Sequence, residues 1–153
     1  MDERVARLKT PEECEQFALN VQSRLRDLAR AARRRGVELR AASHKAVSPA
    51  EREALEAVYA YERALWQKRG KKVRASRTWQ MIKRHGIIAA VERAVNRPDE
   101  TTGYAALVEM DMQDFAFEAV VLRHPDLFTV KAVQRSSERL KEWHKPSEVS
   151  SNA

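Results

Sequence analysis

Nine lysines and arginines fall between positions 63 and 84: Arg63, Lys68, Arg69, Lys71, Lys72, Arg74, Arg77, Lys83 and Arg84. No aspartate or glutamate interrupts the chain between Glu62 and Glu92. Such side chains neutralise phosphates, and release of the condensed counterions is the main source of sequence-independent affinity for nucleic acid. Ser76 and Thr78 add hydroxyl donors at a helix start, where unpaired backbone amides also favour an anion. Arginine and glutamine read guanine and adenine edges, so Arg77, Gln80 and Arg84 are the candidates for base contact. The reading is a protein that binds DNA or RNA through residues 68–84, using Lys68, Arg69, Lys71, Lys72, Arg74, Arg77, Lys83 and Arg84, with Gln80 beside them. A solvated face that binds nothing is the bland alternative, and the long absence of any acid argues against it.

Charge is unevenly spread. Residues 61–100 carry a formal +7, whereas residues 101–153 carry −2. An acidic C-terminal part with apolar helices such as DFAFEAVVL suggests a second reading, a helical interaction module or regulator. Its basic face would meet an acidic protein, and an apolar groove in residues 101–143 would complete the contact. The arginines of RAARRRG, at 30–36, suit a helix C-terminus and would extend the basic surface if that helix packs beside the connector.

Catalytic patterns are weak. His44, His85, His124 and His144 are scattered, and a single cysteine, Cys14, cannot build a thiolate metal site. Glu109, Asp111, Asp114 and Glu118 are the carboxylates that a magnesium-dependent nuclease would have to gather, and nothing in their spacing fixes that geometry. Arg123-His124-Pro125-Asp126 reads as a helix end, with a functional corner as the alternative. No phosphate-binding glycine loop or nucleophile elbow occurs. The chain reads as a binding protein rather than an enzyme, and no metal or cofactor is expected.

These residues need helices to position them. Thr10-Pro11-Glu12-Glu13 and Ser48-Pro49-Ala50-Glu51 are capping boxes with proline at the first helical position. The first predicts a helix over 11–35 stopped by Gly36, followed by a shorter one over 37–46. The second predicts a helix over 49–69, ended by Gly70, with Trp66 on its apolar stripe. GKKVRA, at 70–75, is a basic connector. Ser76 is expected to cap a helix to Arg84, and His85-Gly86 to turn the chain into a helix over 87–96 that Pro98 ends. Trp79 reads as an anchor for the short helix, with stacking on a base as the alternative. Helices at 102–110, at 115–123 capped by Asp114, and at 129–143 before Pro146 complete the series. Trp143 would dock the last one. VEMDM and AVVLRH have strand propensity, but their neighbours keep helical spacing.

The expected architecture is all-α, a compact helical domain of about six to seven helices, long ones first and shorter ones after. An N-terminal hairpin would occupy 1–70 and a bundle of short helices 71–145, with 146–153 a disordered tail. The 153 residues carry a formal charge of +7, with 43% apolar residues and only four glycines, which suits one helical domain with acidic partners. The first residues, MDERVARLKTPEE, have no apolar core of a signal peptide, and no run approaches the roughly 18 residues of a membrane span. A cytoplasmic location is expected, without membrane contact. Oligomeric state is not legible.

Overall fold

A computed structural model describes residues 1–21, 25–97 and 102–143. Within them lie α1 (Glu3–Ala6), α2 (Pro11–Val21), α3 (Arg26–Ala42), α4 (Pro49–Arg69), α5 (Ser76–His85), α6 (Ile87–Asn96), α7 (Thr102–Glu109), α8 (Phe117–Arg123) and α9 (Val130–Trp143). Two 3-10 turns, Gln113–Phe115 and Pro125–Leu127, flank α8. No strand occurs among the described residues, so the fold is all-α. The tail expected at 146–153 lies outside them, as do Pro98, His144 and Pro146.

α4 is the hub. It packs against α3 on one side and against α6, α7 and α8 on others. Ala50, Ala54, Ala57, Ala60 and Ala64 are all buried, so small side chains let several helices approach one axis closely. One core cluster joins Ala60 and Ala64 of α4 to Val37, Leu107, Met112 and Phe115. A second joins Ala54 to Val91, Val95, Val121 and Ala132. A third packs Val5 of α1 with Ala18, Leu28 and Ala32.

Both cap hydrogen bonds form, and in neither does the glutamate reach back to the cap residue's own amide among the described residues. Glu13 N donates to Thr10 Oγ1 at 3.1 Å, and Lys9 N donates to Glu13 Oε2 at 2.9 Å. Glu51 N donates to Ser48 Oγ at 3.2 Å, and α4 ends at Gly70 with φ 75°. That positive φ is where a glycine terminates a helix without steric cost.

Three local readings are corrected. The helix expected over 11–35 is two helices, because Leu25 leaves the helical region with φ −133° and ψ 73°. Gly36 does not stop α3. It lies inside it, where a Cβ would stand 3.3 Å from Cys14 Cβ, so its smallness admits α2. Asp114 does not cap α8, whose first turn follows Ala116. Its carboxylate instead takes two hydrogen bonds from Arg34, at 2.7 and 2.6 Å, and so ties α3 to this loop. Those bonds hold the Asp114 carboxyl below the usual carboxylate range.

Arg123 and His124 form a structural tie. Both donate to Glu53 of α4, His124 Nε2 at 2.6 Å, and Arg123 Nη1 also donates to Asp114 O at 2.9 Å. Burial raises the Glu53 pKa, but the bonds from His124 and Arg123 outweigh it and leave it lowered. Trp143 docks α9, with its ring 4.7 Å from that of Tyr104.

Candidate nucleic-acid interface

The eight cations and Gln80 singled out for nucleic acid are all exposed, as is Ser76, whereas Thr78 is half-buried. Lys68 and Arg69 end α4, Lys71, Lys72 and Arg74 lie in the connector, and Arg77, Gln80, Lys83 and Arg84 ride on α5. Among the described residues none of the eight cations forms an ion pair with a carboxylate. On α5, Arg77, Gln80 and Arg84 are three and four residues apart and so share one stripe. None of the ten residues of α5 is buried.

α5 is held by its aromatic side. Trp79 Nε1–H and Ala75 N–H both donate to Glu62 Oε2 of α4 at 2.7 Å. The Trp79 ring stacks on His44, centroids 5.7 Å apart and planes within 8°. Tyr59 lies tilted 5.2 Å away, and its hydroxyl shares a 2.6 Å hydrogen bond with His44 Nε2. The indole is therefore an anchor, already occupied by protein contacts. Ser76 is not the cap. Ala75 holds that position, and Glu62 takes the amide that a capping side chain would have left open. Removing this carboxylate in Glu62→Ala is expected to raise amide hydrogen exchange across α5 roughly tenfold, the effect of losing two hydrogen bonds, with α4 and α6 keeping their protection. Unchanged exchange in α5 would show that other contacts hold it.

α6, which follows α5, is turned largely inward. Ala90, Val91 and Val95 face the core, and Glu92 accepts from Thr129 N at 3.0 Å and from its hydroxyl at 2.8 Å at the start of α9. Gly86, with φ 86°, turns the chain between α5 and α6.

The basic segment borders two concavities. On one side Lys72 Nζ stands 5.3 Å from the Trp66 ring and the Arg63 guanidinium 4.3 Å from it. Arg33 and Arg40 of α3 join them around a hollow of about 100 Å³. The arginines at 30–36 thus lie inside α3 rather than at its C-terminus, and only Arg33 of them, itself buried, comes beside the connector, Arg34 being paired with Asp114. Trp66, expected in the core, is half-buried among these cations, lining a hollow with Glu15 of α2, Arg33 and Arg40 of α3 and the connector. Arg63 does not contribute a net charge, since Nη2 pairs with Glu15 Oε2 at 2.9 Å. On the other side Arg69, Arg74 and Arg77 border a cleft of about 620 Å³. Gln80, Lys83 and Arg84 border neither.

Arg97 and Tyr61, which the sequence reading passed over, also line that cleft. A signal for Tyr61 was available: Ala57, Tyr61, Leu65 and Arg69 form one four-residue row on α4, and all face the same space. Arg97 gave none, since it reaches the site only through the packing of α6.

The acidic residues grouped as a metal candidate do not converge. Asp114 pairs with Arg34, Glu118 is buried against Arg139, and no metal-binding group of His, Cys, Asp or Glu occurs among the described residues. Of the apolar side chains of DFAFEAVVL, Phe115, Ala116, Val120 and Val121 lie in the core, Phe117 and Ala119 are half-buried and Leu122 is exposed. No described helix is long and apolar enough to cross a membrane. In comparison with known proteins, no family model, no curated protein and no solved structure matches the chain significantly.

Proposed function

We propose that the chain is a cytoplasmic nucleic-acid-binding protein that holds phosphates of DNA or RNA with the connector and the outer face of α5. The observation that carries this reading is the strip itself: Lys68, Arg69, Lys71, Lys72, Arg74, Arg77, Lys83 and Arg84 are exposed and unpaired with carboxylates among the described residues. Unneutralised side chains of one sign on a helix and its lead-in form a field that attracts a polyanion. Glu62 accepts from the α5 amide and indole donors and Glu15 pairs with Arg63, so among the described residues neither forms an ion pair with the strip.

The test is fluorescence anisotropy with labelled duplex DNA, single-stranded DNA and RNA at low and physiological salt. Micromolar or tighter binding is expected, weakening steeply with salt in proportion to the phosphates contacted. No binding at low salt would overturn the reading. It would then leave the strip as a solvated face or a docking surface for an acidic protein, whose apolar contacts depend less on salt.

A further inference from the structure

The larger cleft combines three features that the phosphate-holding strip does not require. Its rim carries Arg69, Arg77 and Arg97. None of these forms an ion pair among the described residues, and Arg97 Nη2 instead meets Met81 Sδ at 3.4 Å. Its wall carries the half-buried ring of Tyr61, with the core residue Tyr104, packed on Trp143, behind it. The Tyr61 ring lies directly across α7 at Gly103, where a Cβ would stand 2.4 Å from Tyr61 Cε2. A glycine at this point is what lets the ring approach the helix so closely. Its floor carries Glu118, a carboxylate only 8% exposed. One guanidinium nitrogen, Arg139 Nη1, reaches Glu118 Oε2 at 3.2 Å, which leaves acceptor capacity on a group that can take about four hydrogen bonds.

Cations at the mouth, one aromatic wall and a buried hydrogen-bond acceptor at the bottom describe a ligand with three matching parts. It has an anionic end, a flat apolar body and an N–H donor at the far side. A volume of about 620 Å³ is that of a small-molecule site. We propose that this cleft binds a nucleotide, with phosphate at the arginine rim, the base against Tyr61, and an amino-bearing base edge donating to Glu118. The proposal rests on the nucleic-acid reading, because Arg69 and Arg77 belong to both the strip and the rim. Carboxylates accept from the cytosine amino group in the same way elsewhere. The nucleotide has two sources of the same chemistry, an unstacked residue of a single strand or a free mononucleotide.

The experiment is isothermal titration of the full chain with cytidine 5′-monophosphate and with ribose 5-phosphate. Anisotropy with oligo-dC and with duplex DNA runs beside it. Cytidine monophosphate is expected to bind at least roughly tenfold more tightly than ribose 5-phosphate, the difference being the base. Arg97→Ala and Glu118→Gln should each lower its affinity by about tenfold or more, while Glu138→Gln on exposed α9 leaves it unchanged. Circular dichroism melts establish that each variant is folded. Competition by oligo-dC for the bound mononucleotide would support the cleft with a strand as the source. Retained binding without competition would support it with the free nucleotide as the source. Equal affinity for the two small ligands, or no effect of Glu118→Gln in a folded variant, would overturn the cleft. Failures of the two readings differ. A chain that binds duplex but not cytidine monophosphate loses the cleft alone. A chain that binds the mononucleotide but no polymer loses the strip reading.

Discussion

Replacing Lys71 and Lys72 together with glutamate is expected to weaken binding to duplex DNA by roughly 100-fold at low salt and to flatten the salt dependence by about two phosphate contacts. Both lysines are exposed in the connector between α4 and α5. The exchange removes two positive charges where the strip bends and adds two negative ones. Each glutamate then repels the phosphate that a lysine would have attracted. The fold should survive, because neither side chain makes a hydrogen bond among the described residues. The Lys72 contact with the Trp66 ring, at 5.3 Å, is an exposed cation–π interaction of about 0.5 kcal/mol. Anisotropy gives the affinity, and a thermal melt gives the stability. The control is Lys131→Glu with Lys141→Glu on α9, which alters net charge equally from exposed positions outside the strip. Equal losses from both pairs would mean that only total charge matters. Unchanged affinity in the Lys71/Lys72 pair would remove the interface.

The second large effect concerns stability. Glu118→Ala is expected to destabilise the fold by about 3 kcal/mol, and Glu118→Gln by less than half of that. Glu118 and Arg139 are each 8% exposed and face one another in the interior. Arg139 Nη2 is already buried without a hydrogen-bond partner, so the guanidinium is poorly compensated even with the carboxylate present. Alanine would strand that charge, whereas glutamine keeps an oxygen for it. Replacing both residues with apolar ones should recover much of the loss, since the cost lies in breaking the pair rather than in lacking it. Burial raises the Glu118 pKa above 4.5, and the hydrogen bonds and Arg139 only partly oppose this. The native state then holds the proton more tightly than the unfolded chain does. Stability from this group is fully present below about pH 4.5 and is lost as pH rises through the folded pKa. Glu118→Gln cannot titrate and should show no such decline in urea melts across that range. An identical decline in the glutamine variant would assign it to another group.

What the sequence made legible was local. Thr10, Ser48 and Gly70 mark helix ends through groups a few residues away, and the structure places ends there. The charge of residues 68–84 is a surface property of the chain itself, and its exposure followed. What stayed hidden was set by partners far along the chain. Gly36 looks like a stop until α2 arrives against it, and Asp114 looks like a cap until Arg34, 80 positions away, takes its carboxylate. Glu62 offers no hint that it will receive the amide of Ala75 and the indole of Trp79. Trp66 has the spacing of a core residue, yet the side chains around it include Arg33, Arg40, Arg63 and Lys72. The cleft depended on the same long-range placement. The α4 row through Tyr61 and Arg69 was readable, but Arg97, Tyr104 and Glu118 reach it from three other helices.

The absence of buried residues on α5 has a consequence for how this surface can change over time. Core side chains answer to packing, so exchanging them risks the fold before it alters any activity. The outward positions of α5 answer to almost nothing inside the molecule. Arg77, Gln80, Lys83 and Arg84 can be replaced one by one, with Trp79 and Glu62 keeping the helix in place. Selection for a new ligand and selection for a stable chain would therefore act on separate sets of residues, and a lineage could retune what it recognises without first acquiring spare stability.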